Sequence, residues 1–224
     1  MKKIWLVMIG LFVMGSTVFA AETETMEQKE GDHSDILIAY VSRAGENYNV
    51  GVKDPDSESS AYAGYIEKGN TQIVAEYIAE MTGGDLYAIT TEEPYPEDYQ
   101  SMLVRAQEEL DQDARPLLAG ELPELDGYQT IFIGYPIWHG SIPRPVLTFL
   151  DNYEFDGKTI IPFNTHEGSG QSGTVEEIRS EVSDASVEDG IAIQGKTAQE
   201  NEQETRDMLE QWLKNMGLDH AKAE

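Results

Sequence analysis

The residues with the clearest chemical potential lie at positions 134–143, GYPIWHGSIP, which we call the aromatic turn. An apolar run at 131–133 predicts a buried strand that ends at Gly134, and Trp138 and His139 follow it. Open α/β sheets bind ligands at the carboxyl ends of their strands. An indole at this position can stack on a planar ring, although a Trp that only packs beneath a loop fits the same pattern.

Two other segments carry residues suited to ligand binding. Small polar residues at 42–45 and 69–71, which we call the split loop, surround the start of a predicted helix. Backbone N–H groups at a helix start bind anions such as phosphate, although Asn70 or Thr71 could act only as a helix cap. Residues 164–173, NTHEGSGQSG, which we call the glycine loop, follow another predicted strand. Their glycines either allow close approach of a ligand to the backbone or form an ordinary flexible turn.

The elements that must position these loops alternate along the chain. Apolar runs predict strands at 36–40, 85–89, 128–135, 159–163 and 187–193. Helical periodicity predicts helices at 71–81, 98–110 and 143–152, and two capping boxes, Thr174 with Glu177 and Thr197 with Glu200, open two more. Five strands alternating with five helices predict an α/β fold, a doubly wound parallel sheet with helices on both faces.

The predicted domain covers residues 35–218, with no internal repeat and no second domain. A polar, Gly- and Ser-rich insertion at 49–68 separates the first strand from its helix, and it is either a functional loop or a solvated one. An acidic leader at 21–34 precedes the domain, and a short tail at 219–224 follows it.

The first twenty residues have the layout of a secretory signal peptide. Lys2 and Lys3 precede an apolar stretch, and the small residues near Ala20 suit cleavage. A retained membrane anchor is the alternative, but the stretch is short beside the roughly 20 apolar residues of a spanning helix. We therefore expect an exported protein that is not stably inserted in the membrane after cleavage.

The composition limits the classes of partner. The chain has 224 residues, with 15 Lys and Arg against 42 Asp and Glu, a net charge of −27. Such a surface disfavours nucleic acid and anionic membranes as partners. The chain has no cysteine, which rules out disulfides and thiolate-bound metals within it. Its histidines lack metal-ligand spacing, so no metal site is predicted.

With the strands in the order 2-1-3-4-5, the three loops follow neighbouring strands, and a phosphate joined to a flat heterocycle would fit them. Here the chain resembles the flavodoxins, from Asp35 to about Leu218, which is nearly the whole of the predicted mature protein. Flavodoxins begin with a strand followed by S-x-T-G-x-T, and SRAG (42–45) with GNT (69–71) resembles the two ends of that motif. Ala44 replaces the usual hydroxyl residue. The resemblance implies flavin mononucleotide (FMN) as cofactor and electron transfer as activity.

The resemblance also implies which residues would hold each part of FMN. The phosphate would contact Ser42, Arg43, Ala44, Asn70 and Thr71. The flavin ring would be flanked by Pro136, Ile137, Trp138, His139 and Gly140. The other side of the ring would be lined by Thr165, Glu167, Gly168, Ser169 and Gly170. Tyr95 or Tyr99 could cover the ring as well, or lie in a solvated loop.

Three functions remain open from the sequence. The first is an exported carrier that shuttles electrons between redox proteins, its acidic surface docking on basic patches. The second is an FMN-dependent reductase that takes hydride from NAD(P)H and passes it to a quinone or another flavin. That enzyme needs positive charge for the dinucleotide phosphates, and this chain has little. The third is a non-redox binding module that kept the fold, for which Ala44 and the insertion are the support.

Overall fold

The computed structural model describes residues 34–46 and 65–218. The predicted signal peptide (1–20), nearly all of the leader (21–34), most of the insertion (49–68) and the tail (219–224) lie outside the described residues.

A parallel sheet forms the centre of the described domain. Its strands are β1 (Ile36–Tyr40), β4 (Asp85–Ala88), β5 (Thr130–Pro136), β6 (Thr159–His166), β7 (Ser186–Val187) and β8 (Ile191–Gln194). The order is β4-β1-β5-β6-β7, and β8 also pairs with β6. All of these pairs are parallel. Because β7 and β8 together take the place of one strand, the sheet confirms the predicted order 2-1-3-4-5.

Helices cover both faces of the sheet, as predicted. They are α1 (Asn70–Thr82), α2 (Tyr99–Asp111), α3 (Arg144–Asp151), α4 (Thr174–Glu181), α5 (Gly195–Glu200) and α6 (Glu202–Asn215). Leu147, Phe149 and Ile178 of α3 and α4 pack on one face of the sheet. Val74, Ile78 and Leu209 of α1 and α6 pack on the other. The continuous apolar runs of β1, β5 and β6 follow from this burial on both faces.

The predicted fifth strand, 187–193, is wrong as a single strand. It divides because Pro162 of β6 has no N–H to donate. Backbone bonds from Ser186 N to Lys158 O and from Glu188 N to Ile160 O show that alternate residues of β6 face this neighbour. Pro162 is the next residue in that alternation, and the ladder stops there. It resumes with one extra residue on the outer strand, as in a β-bulge.

Both predicted capping boxes are wrong as well. The N-cap of α4 is Gly173 in a left-handed conformation, and the Thr174 hydroxyl donates to the carbonyl of Gln171. Thr197 lies inside the short helix α5, and the last helix is instead capped by Asn201, whose side chain accepts from the N–H of Glu204. The Thr-x-x-Glu spacing recurs at both places, but both threonines lie within their helices and neither is an N-cap.

A short ribbon pairs residues just before the insertion with residues near its end. Its strands, β2 (Gly45–Glu46) and β3 (Tyr65–Ile66), pair antiparallel. The backbone therefore brings the two ends of the segment together, and with them the two halves of the split loop.

Candidate functional site

A cleft of about 460 Å³ lies where β1, β5 and β6 end. Twelve of the fifteen residues assigned to a cofactor line it; Ala44, Gly168 and Gly170 do not. Its wall also contains residues that the sequence did not assign, namely Ile66, Met102, Leu103 and His166. Tyr99, one of the two possible covers of the ring, lines the cleft, whereas Tyr95 does not.

The two halves of the split loop touch at Gly69. A β-carbon there would lie 2.2 Å from Ser42 Oγ and 2.5 Å from the carbonyl oxygen of Arg43, so only glycine allows this approach. The Ser42 hydroxyl in turn accepts a hydrogen bond from the N–H of Gln72, at 3.0 Å, in the first turn of α1. The strand end and the helix start are thereby joined across the intervening segment.

The start of α1 suits an anion. Gly69 is its N-cap and makes no side-chain cap bond, and the first turn carries no acidic residue. The N–H groups of Asn70 and Thr71 belong to the first turn, and N–H groups of a first turn have no hydrogen-bond acceptor within the helix. Arg43 adds a positive charge to the lining of the cleft, and its guanidinium donates to the carbonyls of Ala44 (3.2 Å) and Glu97 (3.0 Å). Ala44 itself is exposed outside the cleft.

The side chains of Asn70 and Thr71 are bonded within the protein. The Asn70 amide donates to Glu167 at 3.5 Å and accepts from Gln199 at 2.8 Å. The Thr71 hydroxyl lies 2.8 Å from that of Thr165. Asn70 can therefore serve an anion through its backbone N–H more readily than through its amide.

The aromatic turn is a tight hairpin. Trp138 and Ser141 exchange backbone hydrogen bonds of 3.2 and 2.9 Å, and the two residues between them have positive φ, 50° at His139 and 74° at Gly140. That is the pattern of a two-residue primed turn. The ring of His139 bonds the carbonyl of Leu103 in α2 at 2.9 Å, and since a carbonyl only accepts, Nε2 carries the hydrogen.

Trp138 is supported from behind by Tyr95. Their ring centroids are 4.8 Å apart in an edge-to-face arrangement. The Arg105 guanidinium lies over the Tyr95 ring, 4.1 Å from its centroid, and the Tyr95 hydroxyl donates to Glu109. Burial is the main reason that the pKa of Tyr95 lies far above its ordinary value, and the hydrogen bond to Glu109 raises it further. The phenol therefore stays protonated, and its ring packs against the indole.

A buried cation anchors the far end of the aromatic turn. Arg144, with 7% of its side chain exposed, pairs with Glu177 at 2.9 Å and with Asp113 at 2.9 Å. It also donates to Ser141 Oγ at 2.9 Å, and Ser141 donates to the same Glu177. The two terminal nitrogens of Arg144 are engaged in these contacts, and Arg144 does not line the cleft.

The glycine loop is shaped by bonds to its own backbone. His166 Nδ1 accepts the N–H of Gly168 at 2.9 Å, and Asn164 donates to the carbonyl of Gly170 at 3.0 Å. Gly168 and Gly170 both have positive φ, so they form the bend and do not line the cleft. Burial lowers the pKa of His166, which favours a neutral ring with its hydrogen on Nε2.

The described ranges, 34–46 and 65–218, contain neither a cluster of metal-binding side chains nor a membrane-spanning helix. Within them no three His, Cys, Asp or Glu side chains are grouped so as to hold a metal ion. Nor does any helix in those ranges have the length and apolar character needed to cross a membrane.

The fold and the cleft define an open α/β protein whose ligand site lies at the switch point of its sheet, with an anion-binding end and an aromatic end. The chain belongs to the flavodoxin family, because the family model described as Flavodoxin matches residues 60–216. Among curated proteins, none matches this chain.

Several solved structures are similar to the chain. A protein from Bacteroides uniformis ATCC 8492, described as a flavoprotein, is 27% identical with a TM-score of 0.61, over 81% of this chain and 99% of that one. A second, from Bacteroides eggerthii DSM 20697, is 25% identical with a TM-score of 0.59, over 83% and 99%. A flavoprotein from Lactobacillus acidophilus NCFM, solved in complex with FMN, shares the fold at 20% identity and a TM-score of 0.53, over 73% and 95%.

Proposed function

We propose that this flavodoxin binds FMN in the cleft and passes electrons between redox partners. Family membership supports the cofactor, as does the FMN complex of the Lactobacillus acidophilus flavoprotein. FMN supplies the electron-transfer chemistry when bound, while the protein supplies binding, orientation and electrostatic tuning.

The observation that carries the proposal is the pairing of an anion-binding end with an aromatic end in one cleft. The anion end has Ser42, Arg43 and the first N–H groups of α1, with no acidic residue in that turn. The other end has Trp138 and Tyr99, with apolar side chains beside them. A volume of about 460 Å³ lies within the usual range for small-ligand sites, about 300–1,000 Å³. The donor set and the shape therefore fit a phosphate attached to a planar ring.

The test is reconstitution followed by two titrations. The purified domain, incubated with FMN and desalted, is expected to keep a flavin spectrum and to quench flavin fluorescence. It should accept electrons from a chemical reductant in two separate one-electron steps and should not consume NADH or NADPH alone. Steady NAD(P)H oxidation would identify a reductase instead, and failure to retain FMN would refute the proposed cofactor.

Trp138 is expected to stack on the flavin and to cause most of the quenching. Trp138→Ala should restore much of the flavin fluorescence in the holoprotein, because the indole lines the cleft. The matched control is Trp212→Phe, since Trp212 packs against Phe132 in the core, with centroids 5.8 Å apart. Equal quenching in the parent and in Trp138→Ala would show that the indole is only structural.

We also propose that the protein works after export, with partners that present basic docking patches. The signal-like residues 1–20 and the net charge of −27 support this. N-terminal sequencing of secreted material should begin at Ala21. Electron transfer to a basic partner should slow as salt rises, because salt screens exposed charges over roughly 8–10 Å.

A further inference from the structure

Thr165 contacts both other loops of the cleft. It is 3% exposed, at the end of β6. Its hydroxyl lies 2.8 Å from that of Thr71 in the split loop, and its carbonyl accepts the N–H of Ile137 in the aromatic turn at 2.9 Å. Thr71 is 1% exposed, so water cannot readily replace either partner in the hydroxyl pair.

The hydroxyl pair can be arranged in two ways, and a phosphate would select one. Each hydroxyl has a single hydrogen, and the one that donates to its neighbour cannot also donate elsewhere. A phosphate monoester near neutral pH presents only acceptor oxygens. Thr71, in the first turn of α1, can donate to such a group only if Thr165 supplies the hydrogen shared by the pair.

We infer that Thr165 is a positioning residue for phosphate recognition: its hydroxyl donates to Thr71 Oγ1 and thereby directs the Thr71 hydrogen toward the phosphate of FMN. This inference rests on the proposed FMN function. It moves Thr165 from the ring end of the site to the phosphate end, and it makes the glycine loop part of the anion site. A donor to Thr71 also polarises the Thr71 hydroxyl and strengthens its own donation.

The experiment compares FMN with riboflavin, which has the same ring and no phosphate. Affinities of both are measured by fluorescence titration for the parent, Thr165→Val, Thr165→Ser, Thr71→Val and the double valine variant. Valine keeps the shape of threonine and removes the hydroxyl, while serine keeps the hydroxyl.

The expected pattern is selective for the phosphate. Thr71→Val should weaken FMN binding by about ten- to a hundredfold, the usual cost of a bond to a charged group, and Thr165→Val by about two- to tenfold. Riboflavin should change by less than about twofold in both, and Thr165→Ser should bind FMN like the parent. In the Thr71→Val background, adding Thr165→Val should have no further effect, because no Thr71 hydrogen remains to direct.

Four results would overturn the inference. Equal losses of FMN and riboflavin in Thr165→Val would show a purely structural role, with the proposed function intact. A loss of FMN affinity from Thr165→Val that is the same with and without Thr71→Val would likewise show that Thr165 does not act through Thr71. A parent protein that binds neither ligand would refute the proposed function itself. If Thr165→Val alone does not fold, the double variant, which removes both buried partners together, is compared with Thr71→Val. A different FMN-to-riboflavin ratio in those two proteins would refute the inference.

Discussion

Replacing Arg144 with methionine should destabilise the protein far more than replacing Arg206, an arginine that is 29% exposed and whose acidic partners are exposed. The Arg144 side chain is 7% exposed, and its Glu177 partner is 28% exposed. Breaking a fully buried ion pair costs about 3–5 kcal/mol, since the remaining charge is left without a partner. Because Glu177 keeps partial access to solvent, we expect a smaller loss, about 2–3 kcal/mol.

The assay is thermal unfolding of the apoprotein, checked by urea titration. For a domain of about 150–250 residues, such a loss corresponds to a fall in Tm of roughly 5–10 °C. The matched control is Arg206→Met. Its acidic partners, Glu80 and Glu202, are 58% and 66% exposed, so it should lose less than about 1 kcal/mol.

A double substitution separates the lost pair from lost packing. If the unpaired Glu177 carboxylate causes the damage, Arg144→Met with Glu177→Met should recover part of the stability lost by Arg144→Met alone. Similar Tm values for Arg144→Met and Arg206→Met would refute the argument from burial. A double variant less stable than Arg144→Met would refute the argument from unpaired charge.

Three further predictions concern the core and two titrating rings. Gly134→Ala should lower the free energy of unfolding, measured with urea, by about 1–3 kcal/mol or more, because the new β-carbon would lie 2.1 Å from the Phe163 ring. Gly127→Ala, with no atom within 4 Å, should lose far less; equal losses would contradict the packing argument. Burial raises the pKa of Tyr135 to about 12, so the unfolded chain loses this proton first and stability should fall as pH rises from about 10 to 12. Tyr135→Phe should flatten that decline, and an unchanged slope would count against it. Burial lowers the pKa of His166, so the unfolded chain takes up this proton first and stability should fall as pH drops below about 6.5. An NMR titration of the His166 ring with a midpoint at or above that pH would disprove this.

The strands, most helices and the position of the site could be predicted because they follow from local patterns. The apolar runs at 36–40 and 131–133 are buried on both faces, and such runs mark the central strands of a parallel sheet. The loops that follow these strands lie at one edge of the sheet, which is why most of the assigned residues share one cleft.

What the sequence could not predict depends on contacts between distant residues. The capping box at Thr174 failed because Tyr135 donates to the Thr174 hydroxyl and Arg144 pairs with Glu177, and neither partner is adjacent in the chain. Met102 and Leu103 line the cleft because α2 packs beside the aromatic turn, which helical periodicity alone does not show. Pro162 was the available signal for the divided strand, since a proline in a central strand interrupts a ladder.

The extra residue opposite Pro162 changes the face of the sheet on which the side chains of β8 lie, relative to those of β7. Side chains of a regular strand alternate between faces, so residues 187, 191 and 193 would all point the same way. Instead Val187 packs with the core under α3 and α4, while Ile191 and Ile193 pack with the core under α1 and α6. If the segment continued from Val187 in the regular register, without the extra residue, both isoleucines would face the core under α3 and α4. The extra residue therefore decides which side chains of this segment enter each of the two cores.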